Sequence, residues 1–174
     1  IMGLIPATSG EMHLDEHNLM RSAAHLRTSL GIGYAPEDRV IFPTLSVQEN
    51  LELPCEILEL SSQEVEERLA HVLDVVPQLK PMLARSGAAL SGGQGKMVAL
   101  GRALMVGSAI VLLDEPFQGL APALALQYSE ALGRLRTSRP DLSVVITESN
   151  SALLTDIPNQ ILTIERGSFV EAIH

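Results

Sequence analysis

A chain of 174 residues is long enough for one domain with a real core. Hydrophobic residues make up 46% and aromatics 3%, with no Trp, so that core must be aliphatic. A net charge of −9 argues against a nucleic-acid duplex or an anionic membrane surface as the main partner, and the lone Cys55 permits no intrachain disulfide and fits a reducing compartment.

The chain opens at Ile1 directly in apolar sequence and reads as a piece of a longer polypeptide, without the basic-then-apolar pattern of a signal peptide. "PATSGEMHL" predicts a turn and a short strand over residues 11–14. Residues 19–30 have helical spacing and stop at Gly31. "GIGYAPE" predicts a short strand ended by Pro36. Ser46 with Glu49 and Ser61 with Glu64 form capping boxes, each opening a helix. In the second helix Val65, Leu69, Val72, Leu73 and Val76 fall on one face. Residues 78–89 predict a loop, and a helix follows from about residue 94 to residue 105. Residues 99–113 are the longest apolar region, but Arg102 interrupts them and they do not read as a membrane span.

Residues 109–113 are a continuous branched apolar run followed by Asp114, Glu115 and Pro116, the pattern of a strand buried on both faces of a parallel sheet. Residues 122–138 are amphipathic, with Leu124, Tyr128, Ala131, Leu132 and Leu135 as the apolar stripe, and Arg139-Pro140 ends them. "LSVVITES" predicts another buried strand, and "QILTIERGSFVEAI" a hairpin turning near Arg166-Gly167. Alternating strands and helices in the second half imply an α/β sheet. The stretch of about 45–90 is mostly helical and predicts a subdomain inserted before the α/β core of about 91–174.

Two motifs carry chemistry. "LSGGQ" heads a helix, and a helix N-terminus offers free N–H groups and the positive end of its dipole. Glycines there let the backbone approach a phosphate, although Ser91-Gly92-Gly93-Gln94 alone equally describes a serine-capped loop. Asp114 and Glu115 close an apolar strand, where open α/β sheets bind ligands. An Asp in that place can hold Mg²⁺ and the Glu beside it can polarise a water, although two solvated acids are the plainer alternative. Elsewhere His13 and His17 are four apart, but a strand and a turn make them surface histidines. Cys55 reads as a packed small hydrophobe, and Glu64, Glu66 and Glu67 as a solvated helix face.

In this order the two motifs resemble the ATP-binding cassette (ABC) ATPases, over essentially the whole chain. "TSGEMHL" looks like the family's antiparallel strand, "YAPEDRVIFPTLSVQENL" its Q-loop region, "LSGGQGKMVALGRALM" its signature, "IVLLDEP" its Walker B strand and "FQGLAP" its D-loop. Pro36-Glu37-x-Arg39 before Phe42, with "GLAP" after the acids, most resembles the ATPase subunits of branched-chain amino acid importers. The resemblance implies a P-loop NTPase-type α/β nucleotide-binding domain with an inserted helical subdomain, one such domain over 1–174 that is incomplete at the N-terminus. It implies ATP and Mg²⁺ as cofactors, with Asp114 and Glu37 toward the metal and Glu115 as the catalytic base. Ser91, Gly92, Gly93 and Gln94 would clamp ATP held by a second ATPase subunit, identical or related. Glu37 and Ser149 would also contact the nucleotide. Partners would be that second subunit and transmembrane permease subunits, with no nucleic acid, at the cytoplasmic face of the cell membrane.

Three positions depart from the family pattern. Glu37 stands where Gln is usual, though an acid looks normal in the branched-chain subgroup. Ser149 stands at the switch-histidine position, where a hydroxyl can hydrogen-bond a phosphate but cannot take an imidazole's charge. Phe117-Gln118 occupies the D-loop where a small residue is common. The phosphate-cradling G-x-x-x-x-G-K-[ST] loop lies nowhere in these residues, which the resemblance reads as truncation just before Ile1. The alternative is a non-catalytic module completing a partner's ATP site, and a third reading is a soluble cassette of repair or translation, which the negative charge disfavours.

Overall fold

The structure, a computed structural model, describes residues 1–154 and 157–170. Strands β1 (His13–Leu14) and β2 (His17–Asn18) form a small antiparallel hairpin, so His17 lies in a strand and not in a turn. Both histidines are exposed, and no group of three metal-ligating side chains exists among the described residues.

Residues 19–30 depart from the helix that their spacing predicts. They form three short 3-10 turns, Leu19–Arg21, Ala24–Leu26 and Thr28–Leu30, the first two separated by extended backbone at Ser22 and Ala23 and the last two by Arg27. The physical reason is Arg27. This residue is 7% exposed, and its guanidinium donates to the carbonyls of Ile1, Leu19 and Ser22, giving the last two a partner that a continuous helix would have supplied from its backbone.

Strand β3 (Ile32–Ala35) follows, then α1 (Val47–Ile57) and α2 (Ser62–Val75). Both helices open on complete capping boxes, Ser46 with Glu49 and Ser61 with Glu64. Asn50 of α1 is fully buried yet satisfied: it accepts the N–H of Phe42 at 2.8 Å and donates to the carbonyls of Phe42, Leu45 and Ser46. That single amide fixes the loop between β3 and α1. Residues 78–89, read as loop, hold two 3-10 segments, Pro77–Met82 and Gly87–Ala89, the first with Leu79 and Met82 buried against the helices.

Helix α3 (Gly92–Val106) is buried nearly all round from Met97 onward, which makes it the centre of the molecule. Strand β4 (Ile110–Asp114), helix α4 (Pro122–Ser138) and strand β5 (Ser143–Thr147) complete a parallel sheet of order β3-β4-β5. Alternation along β4 explains its unbroken apolar run. Val111 and Leu113 face the core built by α1 to α4, and Leu112 faces a smaller cluster with Leu19 and Ile32 on the other side. The expectation of a buried β5 is corrected: Ser143, Val144, Val145 and Thr147 are exposed, because β5 is a sheet edge among the described residues. The hairpin of β6 (Thr163–Glu165) and β7 (Ser168–Val170) turns at Arg166 and Gly167, both at positive φ. Residues 171–173 of the predicted hairpin lie outside the described residues.

Candidate active site

Ser91 is the N-cap of α3. Its Oγ accepts the N–H of Gln94 at 3.3 Å, and Gln94 Oε1 accepts the N–H of Ser91 at 3.0 Å. The helix head is therefore a capping box, and the N–H groups of Gly92 and Gly93 are the first-turn donors outside it. Both glycines have a steric reason within this chain. A Cβ on Gly93 would meet Leu124 at 2.3 Å and Leu120 at 3.2 Å, so Gly93 lets α3 pack on the start of α4. A Cβ on Gly92 would meet the Arg39 guanidinium at 2.8 Å.

Arg39 belongs to a constrained segment. Arg39 and Val40 take φ of 66° and 45°, a region that costs a side-chain-bearing residue about 1 kcal/mol or more. Arg102 of α3 holds them there, donating to the Arg39 carbonyl at 2.8 Å and the Val40 carbonyl at 2.6 Å while its guanidinium sits 5.8 Å from the centre of the Phe42 ring. The residue that interrupts the apolar run is thus the anchor of the Glu37–Phe42 segment. Glu37 itself is exposed on the turn after β3 and shares a cleft of about 230 Å³ with Arg39, Gly92, Lys96 and Gln118.

The second group lies at the carboxyl ends of β4 and β5. The register sets Asp114 opposite Thr147, whose hydroxyl donates to Asp114 Oδ1 at 2.5 Å. Tyr34 stands opposite Leu112, two residues back on the same face, and its hydroxyl reaches Asp114 Oδ2 at 3.2 Å. Burial first, and then the Asp114 carboxylate, raise the Tyr34 phenol above its ordinary pKa, so it stays a donor. Glu115 has φ of 45°, and its N–H donates to the Thr147 carbonyl at 3.0 Å. Its carboxylate accepts the Ser149 N–H and hydroxyl, each at 3.3 Å. Lys96 of α3 donates to the Glu115 carbonyl, and Glu148 accepts the Phe117 N–H at 2.8 Å.

Of the residues singled out in the sequence, Glu115 and Ser149 are bonded to each other, Asp114 joins them through Thr147, Glu37 and Gly92 share a cleft, and Ser91 and Gln94 cap each other. Sequence reasoning missed Tyr34, Arg39, Lys96, Thr147 and Glu148. The strand-end rule that flags Asp114 and Glu115 applies equally to Thr147 and Glu148 and was available. Lys96 is a lone cation between Gly95 and a buried Met97, and only the fold shows where it points.

Burial, and after it the neighbouring Glu115 carboxylate, raise the Glu148 pKa above its ordinary value, with the Phe117 N–H acting the other way. An acid with a raised folded-state pKa contributes most to stability below its unfolded pKa and loses that contribution as pH rises through the folded value. Glu148→Gln keeps an acceptor for Phe117 and never ionises. Its thermal midpoint should match the parent near about pH 4 and exceed it near about pH 7.5, with the gap opening in between. Melting curves across that range check this, and an equal or lower midpoint at the upper pH contradicts it.

A family model described as "ABC transporter" matches residues 1–118. The chain belongs to the ABC transporter family. It is 30% identical over 167 residues to the probable branched-chain amino acid transport ATP-binding protein LivF of Archaeoglobus fulgidus, covering 96% of this chain and 70% of that protein. It is 32% identical over 151 residues to the lipopolysaccharide export system ATP-binding protein LptB of Escherichia coli, covering 86% of this chain and 61% of LptB. The chain thus spans between three fifths and three quarters of these relatives. Among solved structures, the ADP conformation of an ATP-binding cassette of an ABC transporter superposes with a TM-score of 0.77 at 21% identity, covering 97% of this chain and 70% of the other. A dimeric post-hydrolysis cassette bound to ADP and phosphate superposes with a TM-score of 0.72 at 25% identity, covering 88% and 68%. The fold is the P-loop NTPase-type α/β fold of these cassettes.

Proposed function

We propose that the chain is the ATP-hydrolysing part of an ABC transporter subunit that powers branched-chain amino acid uptake. The observation that carries the reading is the pair of acids at the carboxyl end of the central strand, each oriented by hydrogen bonds from neighbouring elements. Glu115 takes the proton of the attacking water, its carboxylate steadied by Ser149. Asp114 presents hard carboxylate oxygens, and one or two such ligands beside substrate phosphates are what Mg²⁺ uses, so Asp114 fits, with Glu37, exposed in the neighbouring cleft, assigned as a second contact. Bound there, Mg²⁺ would offset phosphate charge. Ser91, Gly92, Gly93 and Gln94 grip ATP carried by a second subunit, and Ser91 and Gly92 are exposed to meet it. The likeness to a dimeric cassette supports that arrangement.

The segment of about 45–90 serves as the helical subdomain that docks on permease subunits at the inner face of the membrane. No helix among the described residues is long and apolar enough to cross a membrane. The uptake assignment rests on the likeness to LivF and on the Pro36-Glu37-x-Arg39 and "GLAP" pattern, and the likeness to LptB makes lipopolysaccharide export the competing cargo. The deciding experiment reconstitutes the full native polypeptide with its permease subunits in vesicles. ATP-driven leucine accumulation is the expected result, and ATP turnover without it overturns the substrate assignment. Failure of the native polypeptide to hydrolyse ATP favours the non-catalytic module.

These 174 residues alone should bind MgATP very weakly, because the loop whose N–H groups and Lys cradle the phosphates is not among them. Titration calorimetry checks this, and a dissociation constant of about 1 μM, worth roughly 8 kcal/mol, would contradict it.

A further inference from the structure

The turn that carries Glu115 is held from two elements at once. From β5 and the two residues that follow it come the Thr147 carbonyl on the Glu115 N–H, Ser149 on its carboxylate and Glu148 on the Phe117 N–H. From α3 comes Lys96, whose ammonium shares the Glu115 carbonyl with the N–H of Gln118. Lys96 is half-buried, and the charges facing it are those of Glu148, Glu37, Arg39 and Glu115. It lines both the cleft at Gly92 and the recess at Asp114. A half-buried amine among three carboxylates that donates to a peptide carbonyl fixes that peptide plane. The plane matters here because Glu115 sits at positive φ, where a residue stays only if its surroundings over-determine it.

We propose that Lys96 and Glu148 are positioning residues that clamp the Glu115–Phe117 turn, Lys96 through the Glu115 carbonyl and Glu148 through the Phe117 N–H. The proposal rests on the reading of Glu115 as the base. Lys96 meets Glu115 only at its backbone carbonyl, whereas the Glu148 carboxyl also meets the Glu115 carboxyl side to side. Each acts by fixing the direction in which the Glu115 side chain leaves its backbone. Lys96 also ties that direction to α3, whose head is Ser91, so a shift of the helix on gripping nucleotide is passed to Glu115 through one ammonium.

The test uses the full native polypeptide and compares Lys96→Met, Lys96→Arg, Glu148→Ala, Glu148→Gln and Glu115→Gln. Readouts are kcat, KM for ATP and the thermal midpoint. A misplaced reacting group costs on the order of 10²-fold, so Lys96→Met and Glu148→Ala should each lower kcat by about 10- to 100-fold. KM should stay within about 2-fold, since ground-state binding is untouched. Lys96→Arg and Glu148→Gln keep the donor and the acceptor and should recover most of the rate. In the Glu115→Gln background neither loss should lower the residual rate further, because the base they position is gone. Full kcat in Lys96→Met and Glu148→Ala, beside an inactive Glu115→Gln, overturns the clamp and leaves the base assignment standing. A kcat that falls only with the thermal midpoint, and that Arg and Gln do not rescue, also overturns it. Parental activity in Glu115→Gln overturns the base and the clamp together.

Discussion

Gly33→Ala should lose about 3 kcal/mol or more of stability, and Gly33→Val should leave little folded protein. A Cβ at Gly33 would stand 2.1 Å from the Ala103 carbonyl oxygen and 3.1 Å from the Gly107 Cα. Those atoms are backbone, so no rotamer change relieves the overlap. Gly33 pairs with Val111 of the central strand, and α3 crosses directly over it. Separating the two would open the core in which Val98, Leu100 and Met105 are fully buried. Domains of this size hold about 5–15 kcal/mol in total, so the loss is a large fraction of it. Gly133 is the internal control: it is exposed in α4 with nothing within 4 Å of its Cβ position. Gly133→Ala should therefore gain about 0.5–1 kcal/mol through helix propensity alone. Thermal and urea unfolding of the two alanine variants side by side checks the argument, and equal midpoints would contradict it.

The elements that the sequence disclosed are those whose signals are local. The boxes at Ser46 and Ser61 need only a residue and its neighbour three positions on, and both helices begin there. The run at residues 109–113 reports burial on two faces, and the sheet supplies both. Residues 19–30 fail the same reading because their fate is decided at Arg27, which answers carbonyls as far away as Ile1. Hydrophobic spacing cannot register a guanidinium that takes the acceptors of a helix. Val144 and Val145 look like core by composition, yet exposure follows from a neighbour's presence or absence, not from the strand's own residues.

The site divides in the same way. Asp114 and Glu115 were legible because a strand-end acid pair is contiguous. Tyr34, eighty positions from Asp114, entered only through the register of β3 on β4. Gly93 was read as a place for a phosphate to approach, and the structure adds that Leu120 and Leu124 already require its bare Cα. Ser149, read as a nucleotide contact, has its hydroxyl on the Glu115 carboxylate, a bond that no spacing rule anticipates.

Glu115→Gln, made in the full native polypeptide, should lower ATP hydrolysis by about 10²–10⁴-fold, equivalent to roughly 3–5 kcal/mol of barrier. The amide keeps the size of the side chain and an oxygen for the Ser149 N–H and hydroxyl, now 3.3 Å from the carboxylate. It has no lone pair basic enough to take a proton from water. ATP binding should survive, because a negative charge is removed from beside the phosphates. The ATP-loaded dimer should then accumulate in its closed form. Ser91→Arg should fail differently. It abolishes the capping box with Gln94 and sets a bulky cation at the exposed head of α3, so closure itself is blocked. Size-exclusion chromatography with and without ATP, beside phosphate release, separates the two: Glu115→Gln dimerises without turnover, and Ser91→Arg does neither. Parental hydrolysis in Glu115→Gln would remove Glu115 as the base. Glu148, the carboxylate after β5 that accepts the Phe117 N–H, would then be the residue to test as the base.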